Sequence, residues 1–111
     1  MGKIITLKSN RDFKRAYIKG HSYISRNVVT YIVRNKKRQN RFGVTTSKKI
    51  GNAVLRNRAR RVIKSAYLSV HPDLKKEGFD FIFVARAKTP LTKSNIIANI
   101  MREHFKQAGI L

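Results

Sequence analysis

Hydrophobic positions recur at helical spacing in three segments of the chain, and they predict three amphipathic helices. Each segment starts at a polar residue suited to cap a helix, and each ends at a glycine or shortly before a proline. The first helix is short, and its apolar stripe is narrow and partly aromatic. The three predicted ranges are Ser9 to Gly20, Asn52 to Val70 and Thr92 to Gly109.

Three further segments are rich in β-branched and aromatic residues, and they predict strands. Asn27 to Asn35 and Arg41 to Thr46 are separated by a basic polar run, which we interpret as the loop of a hairpin. Phe79 to Ala85 is almost entirely apolar, as expected for a strand that is buried on both faces. A short additional strand fits at Ser22 to Ser25. The pattern therefore predicts one α+β domain over residues 1–111.

Charge is the unusual feature of the composition. The 111 residues include 26 Lys and Arg but only 5 Asp and Glu, for a formal net charge of +21. Self-repulsion of this size destabilises a compact protein, so it favours a polyanionic partner. The chain has no cysteine, its first residues do not resemble a signal peptide, and no apolar run is long enough to span a bilayer. We therefore expect a cytoplasmic protein without disulfides.

Basic residues are concentrated in "LRNRARRVIK", Leu55 to Lys64, within the second predicted helix. No Asp or Glu occurs between Ile50 and Ser69, so the usual acidic partners one turn away are missing. A solvated helix face is the ordinary explanation for a charge run. Unpaired cations at this density instead favour binding to nucleic-acid phosphates, which arginine contacts through two parallel hydrogen bonds. The face opposite the apolar stripe carries Asn57, Arg60, Arg61 and Lys64, with Arg56 and Arg58 at its borders.

The segment "GVTTSKKIGNAVLRNRARRVIKSAY", Gly43 to Tyr67, resembles the signature of the bacterial ribonuclease P protein subunit family. The resemblance extends more loosely to "F-x-x-x-Y-x-x-G" at Phe13 to Gly20 and to "FDFIFVAR" at Phe79 to Arg86. It implies a small two-layer α/β sandwich of αβββαβα order, similar to the second domain of ribosomal protein S5. It also implies a left-handed βαβ crossover, against the usual rule.

The resemblance further implies a function. Proteins of that family join a large catalytic RNA, and the complex removes the 5′ leader of precursor tRNA, with Mg²⁺ used by the RNA. The chain itself would bind no metal or cofactor, no membrane and no small-molecule substrate. The residues implied to face the catalytic RNA are Lys49, Arg56, Asn57, Arg58, Arg60, Arg61 and Lys64. Those implied to bind the leader are Phe13, Tyr17, Tyr31, Ser47, Lys48, Asn52 and Arg86.

The aromatic residues of this second set have an alternative interpretation. Phe13 and Tyr17 at helical spacing are more often core residues, and Tyr31 would be an ordinary strand aromatic. Single-stranded RNA, however, is bound by aromatic side chains beside basic groups. The chain also departs from the family pattern, because Tyr17 stands where phenylalanine is frequent and Arg86 is followed by Ala87 instead of a second basic residue.

The sequence shows no group of acidic or histidine residues with the spacing that RNA cleavage by the chain alone would need. The acids are scattered, so none has the spacing of a two-metal site. His21, His71 and His104 lie in separate elements, and we expect turn or surface roles for them. The chain alone is therefore predicted to be inactive. A ribosomal or general RNA-binding protein and a free-standing ribonuclease are the alternative functions.

Overall fold

The structure is a computed structural model that describes residues 4–111. Within this range no helix is both long and apolar enough to cross a membrane. The strands are β1 (Ile5–Thr6), β2 (His21–Ile24), β3 (Val28–Arg34), β4 (Arg41–Thr45) and β5 (Phe79–Ala85). The helices are α1 (Asn10–Lys19), α2 (Ala53–Val70) and α3 (Ser94–Gln107). The strands form one sheet in the order β1-β4-β5-β3-β2.

The central position in this sheet belongs to β5. It pairs in parallel with β4 on one side and antiparallel with β3 on the other. Phe81, Ile82 and Phe83 are fully buried, as the apolar sequence predicts. The predicted hairpin between β3 and β4 is wrong, because β5 lies between them. A strand that is apolar on both faces buries most area at the centre of a sheet that has helices on both sides. β5 therefore takes the central position and separates β3 from β4, although these two strands are consecutive in the sequence.

Helices cover both faces of the sheet. α2 and α3 pack on one face around Phe81, whereas α1 lies on the opposite face and packs on Ile82 through Ala16 and the half-buried Phe13. The α/β sandwich and its αβββαβα order are confirmed, with β1 as an additional two-residue edge strand. β4, α2 and β5 form the parallel crossover unit that the resemblance implies. Its left-handedness stays a prediction.

Local side-chain contacts start two of the helices where the sequence predicts. The Ser9 hydroxyl accepts the N–H of Arg11 at 3.2 Å, at the start of α1. The Asn52 amide oxygen accepts the N–H of Leu55 at 3.0 Å, at the start of α2. This cap fixes where α2 begins, and the apolar stripe that includes the buried Ala59 packs against the sheet. The basic residues of α2 consequently point away from the core.

Two polar aromatic side chains are buried in the core between the sheet and α2 and α3. Tyr67 of α2 is fully buried, and its ring stacks on Phe42 with 4.7 Å between centroids. His104 of α3 is buried, and its Nδ1 shares a 2.8 Å hydrogen bond with the Thr30 hydroxyl. The predicted surface or turn role for His104 is therefore wrong. The residue follows Met101 by three positions, so it lies on the apolar stripe of α3.

Candidate nucleic-acid interface

The solvent side of α2 carries a row of exposed polar and cationic side chains, which we call the cationic face. Within residues 4–111 none of its cations forms a salt bridge, and the Arg60 guanidinium donates a hydrogen bond to the Asn57 amide oxygen at 3.0 Å. Because the opposite side of α2 supplies the core packing, these side chains are free to meet an external anion. The cationic face consists of Asn57, Arg58, Arg60, Arg61 and Lys64.

Two other residues that the resemblance assigns to the catalytic RNA lie apart from this row. Arg56 is half-buried, and its Nη1 donates to the Gly51 carbonyl at 2.7 Å, which holds the turn before α2. Lys49 lies in the 3₁₀ turn Lys48–Ile50 and lines a groove with Arg86. The structure therefore brings together five of the seven residues of this set.

An aromatic cleft of about 340 Å³ opens between α1 and β4. Phe13 lies over Gly43, where an added Cβ would come within 2.5 Å of the ring. Tyr17 is 39% exposed and meets Tyr31 edge-on, with 5.0 Å between ring centroids. The Tyr17 hydroxyl also shares a hydrogen bond with the Thr45 hydroxyl. The rings are thus held in place yet remain partly open to solvent, as a stacking surface for bases requires.

A basic groove of about 590 Å³ lies at the end of β5. Its floor is apolar and includes Val29 and Val84. The guanidinium of Arg86 donates to the Ser25 carbonyl at 2.9 Å, and this contact holds Arg86 against the turn between β2 and β3. The rim carries Arg26, Lys49, Arg86 and Lys88, with Ser47 beside them.

The aromatic cleft and the basic groove share one face of the sheet. Tyr31 pairs with Ile82 across β3 and β5, and two residues further along Val29 pairs with Val84. Thr45 of β4 is the other neighbour of Val84. Residues two apart on a strand point to the same face, so the rings of the cleft are followed directly by the floor of the groove. The two sites form one continuous track across the sheet.

This track contains most of the residues assigned to the leader. Lys48 and Asn52 are exposed in the connection between β4 and α2, where the Asn52 oxygen caps the helix. Arg60 of the cationic face also lines the aromatic cleft, so the helix surface and the track meet at this side chain. The leader residues on the track are Phe13, Tyr17, Tyr31, Ser47 and Arg86.

Beneath α1 lies a fully buried acid, Asp80, to which no sequence motif assigns a role. The Asp80 carboxylate accepts hydrogen bonds from Arg41 at 2.7 and 2.8 Å, from Asn35 at 2.8 Å and from Arg15 at 3.0 Å. Burial by itself raises the pKa of Asp80, but these hydrogen bonds outweigh it and hold the pKa below its ordinary value. Asp80 therefore serves as a structural anion, and within residues 4–111 no three acidic or histidine side chains are grouped as a metal site.

Fold and surface together define a small, strongly basic α+β protein with a cationic helix face beside an aromatic and basic track. The family model described as Ribonuclease P matches residues 1–109. A ribonuclease P protein component of Clostridium botulinum is 38% identical over 105 residues, covering 94% of both chains. One from Clostridioides difficile is 41% identical over 83 residues, covering 75% of this chain and 73% of the relative.

Solved structures agree with these matches. The RNase P protein of Staphylococcus aureus is 37% identical with a TM-score of 0.79, covering 97% of this chain and 98% of the other. A second structure from that organism, 34% identical with a TM-score of 0.81 and covering 96% and 89%, is a mutant described as defective in mRNA degradation activity. The Thermotoga maritima RNase P protein, 21% identical with a TM-score of 0.79 over 92% and 96%, supports the fold alone. The chain belongs to the bacterial ribonuclease P protein family, which takes part in tRNA processing.

Proposed function

We propose that the chain is the RNA-binding subunit of the ribonuclease P ribonucleoprotein and assists endonucleolytic removal of the 5′ leader from precursor tRNA. The observation that carries the proposal is the continuous surface formed by the cationic face, the aromatic cleft and the basic groove. A helix face dense in exposed arginines suits a structured RNA, and a track of rings and cations suits a single strand. The surface therefore offers separate places for the two RNA partners.

The cationic face is proposed to bind the catalytic RNA. Its cations have no acidic partners within residues 4–111, so no ion pair has to break before a phosphate is bound. Arg58 and Arg61 also line an open groove of about 570 Å³ between α2 and the start of α3, where Lys93 adds a further cation. Guanidinium groups bind phosphate bidentately and release counterions from the RNA, which gives both affinity and salt dependence.

The track is proposed to bind the leader. Bases would stack on Phe13, Tyr17 and Tyr31, while phosphates would lie near Arg86 at the rim of the groove and near the exposed Lys48 in the connection between β4 and α2. Precursor and mature tRNA differ only in the single-stranded leader. A protein that contacts this segment consequently favours the substrate over the product.

The chemical step is proposed to belong to the RNA partner and its Mg²⁺, with the complex working in the cytoplasm. Hydrolysis of a phosphodiester by two metal ions needs carboxylates gathered around them. Asp12, Asp73 and Asp80 are instead paired with arginines, at N–O distances of 3.5, 2.8 and 2.7 Å for the shortest contact of each. The buried Asp80 serves the fold, and Asp12 and Asp73 are occupied in ion pairs, which supports a binding role for the chain.

Reconstitution tests the proposal. The purified chain is mixed with a bacterial ribonuclease P RNA at a magnesium concentration where that RNA alone is slow, and leader removal from precursor tRNA is measured. We expect rapid cleavage only in the mixture. Cleavage at the rate of RNA alone would contradict the proposed function.

A parallel reaction without catalytic RNA tests the free-standing ribonuclease, the alternative favoured by the description of the Staphylococcus aureus mutant. Precursor tRNA and an mRNA are incubated separately with the chain and Mg²⁺. We expect both RNAs to stay intact. Cutting that copurifies with the folded chain would overturn our assignment of the chemical step to the RNA.

A further inference from the structure

α1 is held only weakly by apolar packing. It has 10 residues, a length at which an isolated helix is marginal in water. Ala16 is its only fully buried side chain, whereas Tyr17 is 39% exposed and Ile18 is 70% exposed. The rings that form the wall of the aromatic cleft have to stay open to bind bases. Because these rings stay partly open, the half-buried Phe13 adds only part of a side chain's burial to that of Ala16.

Polar contacts supply the missing attachment. Arg15 donates through Nη2 to Asp80 at 3.0 Å and through Nη1 to the Arg34 carbonyl at 2.9 Å. One turn earlier, Asp12 pairs with Arg41 at 3.5 Å, and Arg41 itself donates twice to Asp80. Two side chains of α1 are therefore attached to three strands. Arg15 bonds to β3 and to the fully buried Asp80 of β5, and Asp12 pairs with Arg41 of β4.

We infer that Arg15 and Asp80 are positioning residues for recognition of the precursor tRNA, because they hold α1 so that Phe13 and Tyr17 face the leader. The inference rests on the proposed function of the track. A planar guanidinium that bonds two acceptors on different strands restrains both the sliding and the rotation of the helix. Without these bonds α1 is free to tilt, and Tyr17 loses its fixed place beside Tyr31.

Arg15 is the residue to change, since removing Asp80 would leave the two partly buried arginines, Arg15 and Arg41, without their shared acid and endanger the fold. The test variant is Arg15→Gln, and the matched control is Lys14→Gln. Lys14 is the exposed neighbour on α1, and its side chain makes no hydrogen bond or ion pair within residues 4–111. Both variants lose one positive charge from the same helix, so their general attraction to RNA falls equally. Arg15→Lys keeps the charge but not the two-pronged geometry.

The readout is the affinity of the reconstituted complex for precursor tRNA divided by its affinity for mature tRNA. For Arg15→Gln we expect this ratio to fall by at least about 5-fold relative to Lys14→Gln, the lower end of the cost of one lost stacked base. Arg15→Lys should recover part of the loss. Affinity for the catalytic RNA should be equal in both glutamine variants, and circular dichroism should show that each is folded.

A double-mutant cycle separates positioning from general stability. If Arg15 acts through Tyr17, the losses caused by Arg15→Gln and Tyr17→Ala will not add, whereas a purely structural role gives additive losses. Suppose that Arg15→Gln and Lys14→Gln give equal affinity ratios while both complexes still prefer precursor to mature tRNA. This result would overturn the positioning role of Arg15 and leave the proposed function of the track intact. If the complex with the unaltered chain instead binds precursor and mature tRNA with equal affinity, the proposed function of the track is overturned.

Discussion

Replacing Tyr17 by alanine removes a stacking surface while leaving most of the fold in place. The change loses the edge-on contact with Tyr31 at 5.0 Å and the hydrogen bond to Thr45. These contacts are worth about 0.5–1.5 kcal/mol each, which a domain with about 5–15 kcal/mol of stability tolerates. Losing one stacked base costs about 1–3 kcal/mol of binding. We therefore expect affinity for precursor tRNA to fall about 5- to 100-fold, with mature tRNA hardly affected.

The assay is equilibrium binding of a cleavage-resistant precursor tRNA and of mature tRNA to the reconstituted complex. Ile18→Ala is the matched control, because Ile18 is the next residue on α1 and is 70% exposed. It should leave both affinities unchanged. Tyr17→Phe keeps the ring and loses only the hydroxyl, so it should stay close to the unaltered chain. Equal losses for precursor and mature tRNA by folded Tyr17→Ala would refute the reasoning and make Tyr17 a structural residue.

Three further changes test other parts of the structure. Arg61→Ala should reduce the salt slope of catalytic-RNA binding by about one unit with the fold intact, and an unchanged slope would leave the cationic face as a solvated surface. Ala87→Lys adds a cation to the groove lined by Arg86 and Lys88, so it should raise the salt slope of precursor binding by about one unit, whereas no change would place the leader elsewhere. Burial lowers the pKa of His104 from 6.5, so the stability it contributes is complete above that pH and is lost as the pH falls below it. The free energy of unfolding, measured with denaturant between about pH 7.5 and 5.5, should show this loss, and His104→Gln should reduce it. Identical pH profiles for the variant and the unaltered chain would contradict the assignment of the loss to His104.

Local signals in the sequence were sufficient for the three helices and for every strand except the two-residue β1. Asn52 caps α2 through an oxygen only three residues from its donor, and the apolar stripe that follows sets which side of the helix faces the sheet. The exposed positions of Arg60 and Arg61 follow from the same periodicity. His104 was also within reach of this reasoning, because its spacing from Met101 places it on the buried stripe of α3.

Contacts between residues far apart in the chain could not be predicted from these local signals. The strand neighbours of β5 depend on pairing across the whole sheet, so the apolar composition of Phe79 to Ala85 indicated burial without indicating which strands it separates. Asp80 bonds Arg15, which lies 65 residues earlier, and nothing adjacent to either residue marks the pair. The place of Arg26 on the groove likewise follows from the turn before β3, which the fold brings beside the end of β5.

The most direct test of the account compares binding of precursor tRNAs whose leaders increase one nucleotide at a time. Each is measured against catalytic RNA alone and against the complex with the chain. We expect affinity to rise with leader length only when the chain is present, and to level off once the leader spans the aromatic cleft and the basic groove. The same dependence on leader length with and without the chain would contradict the claim that this protein binds the leader.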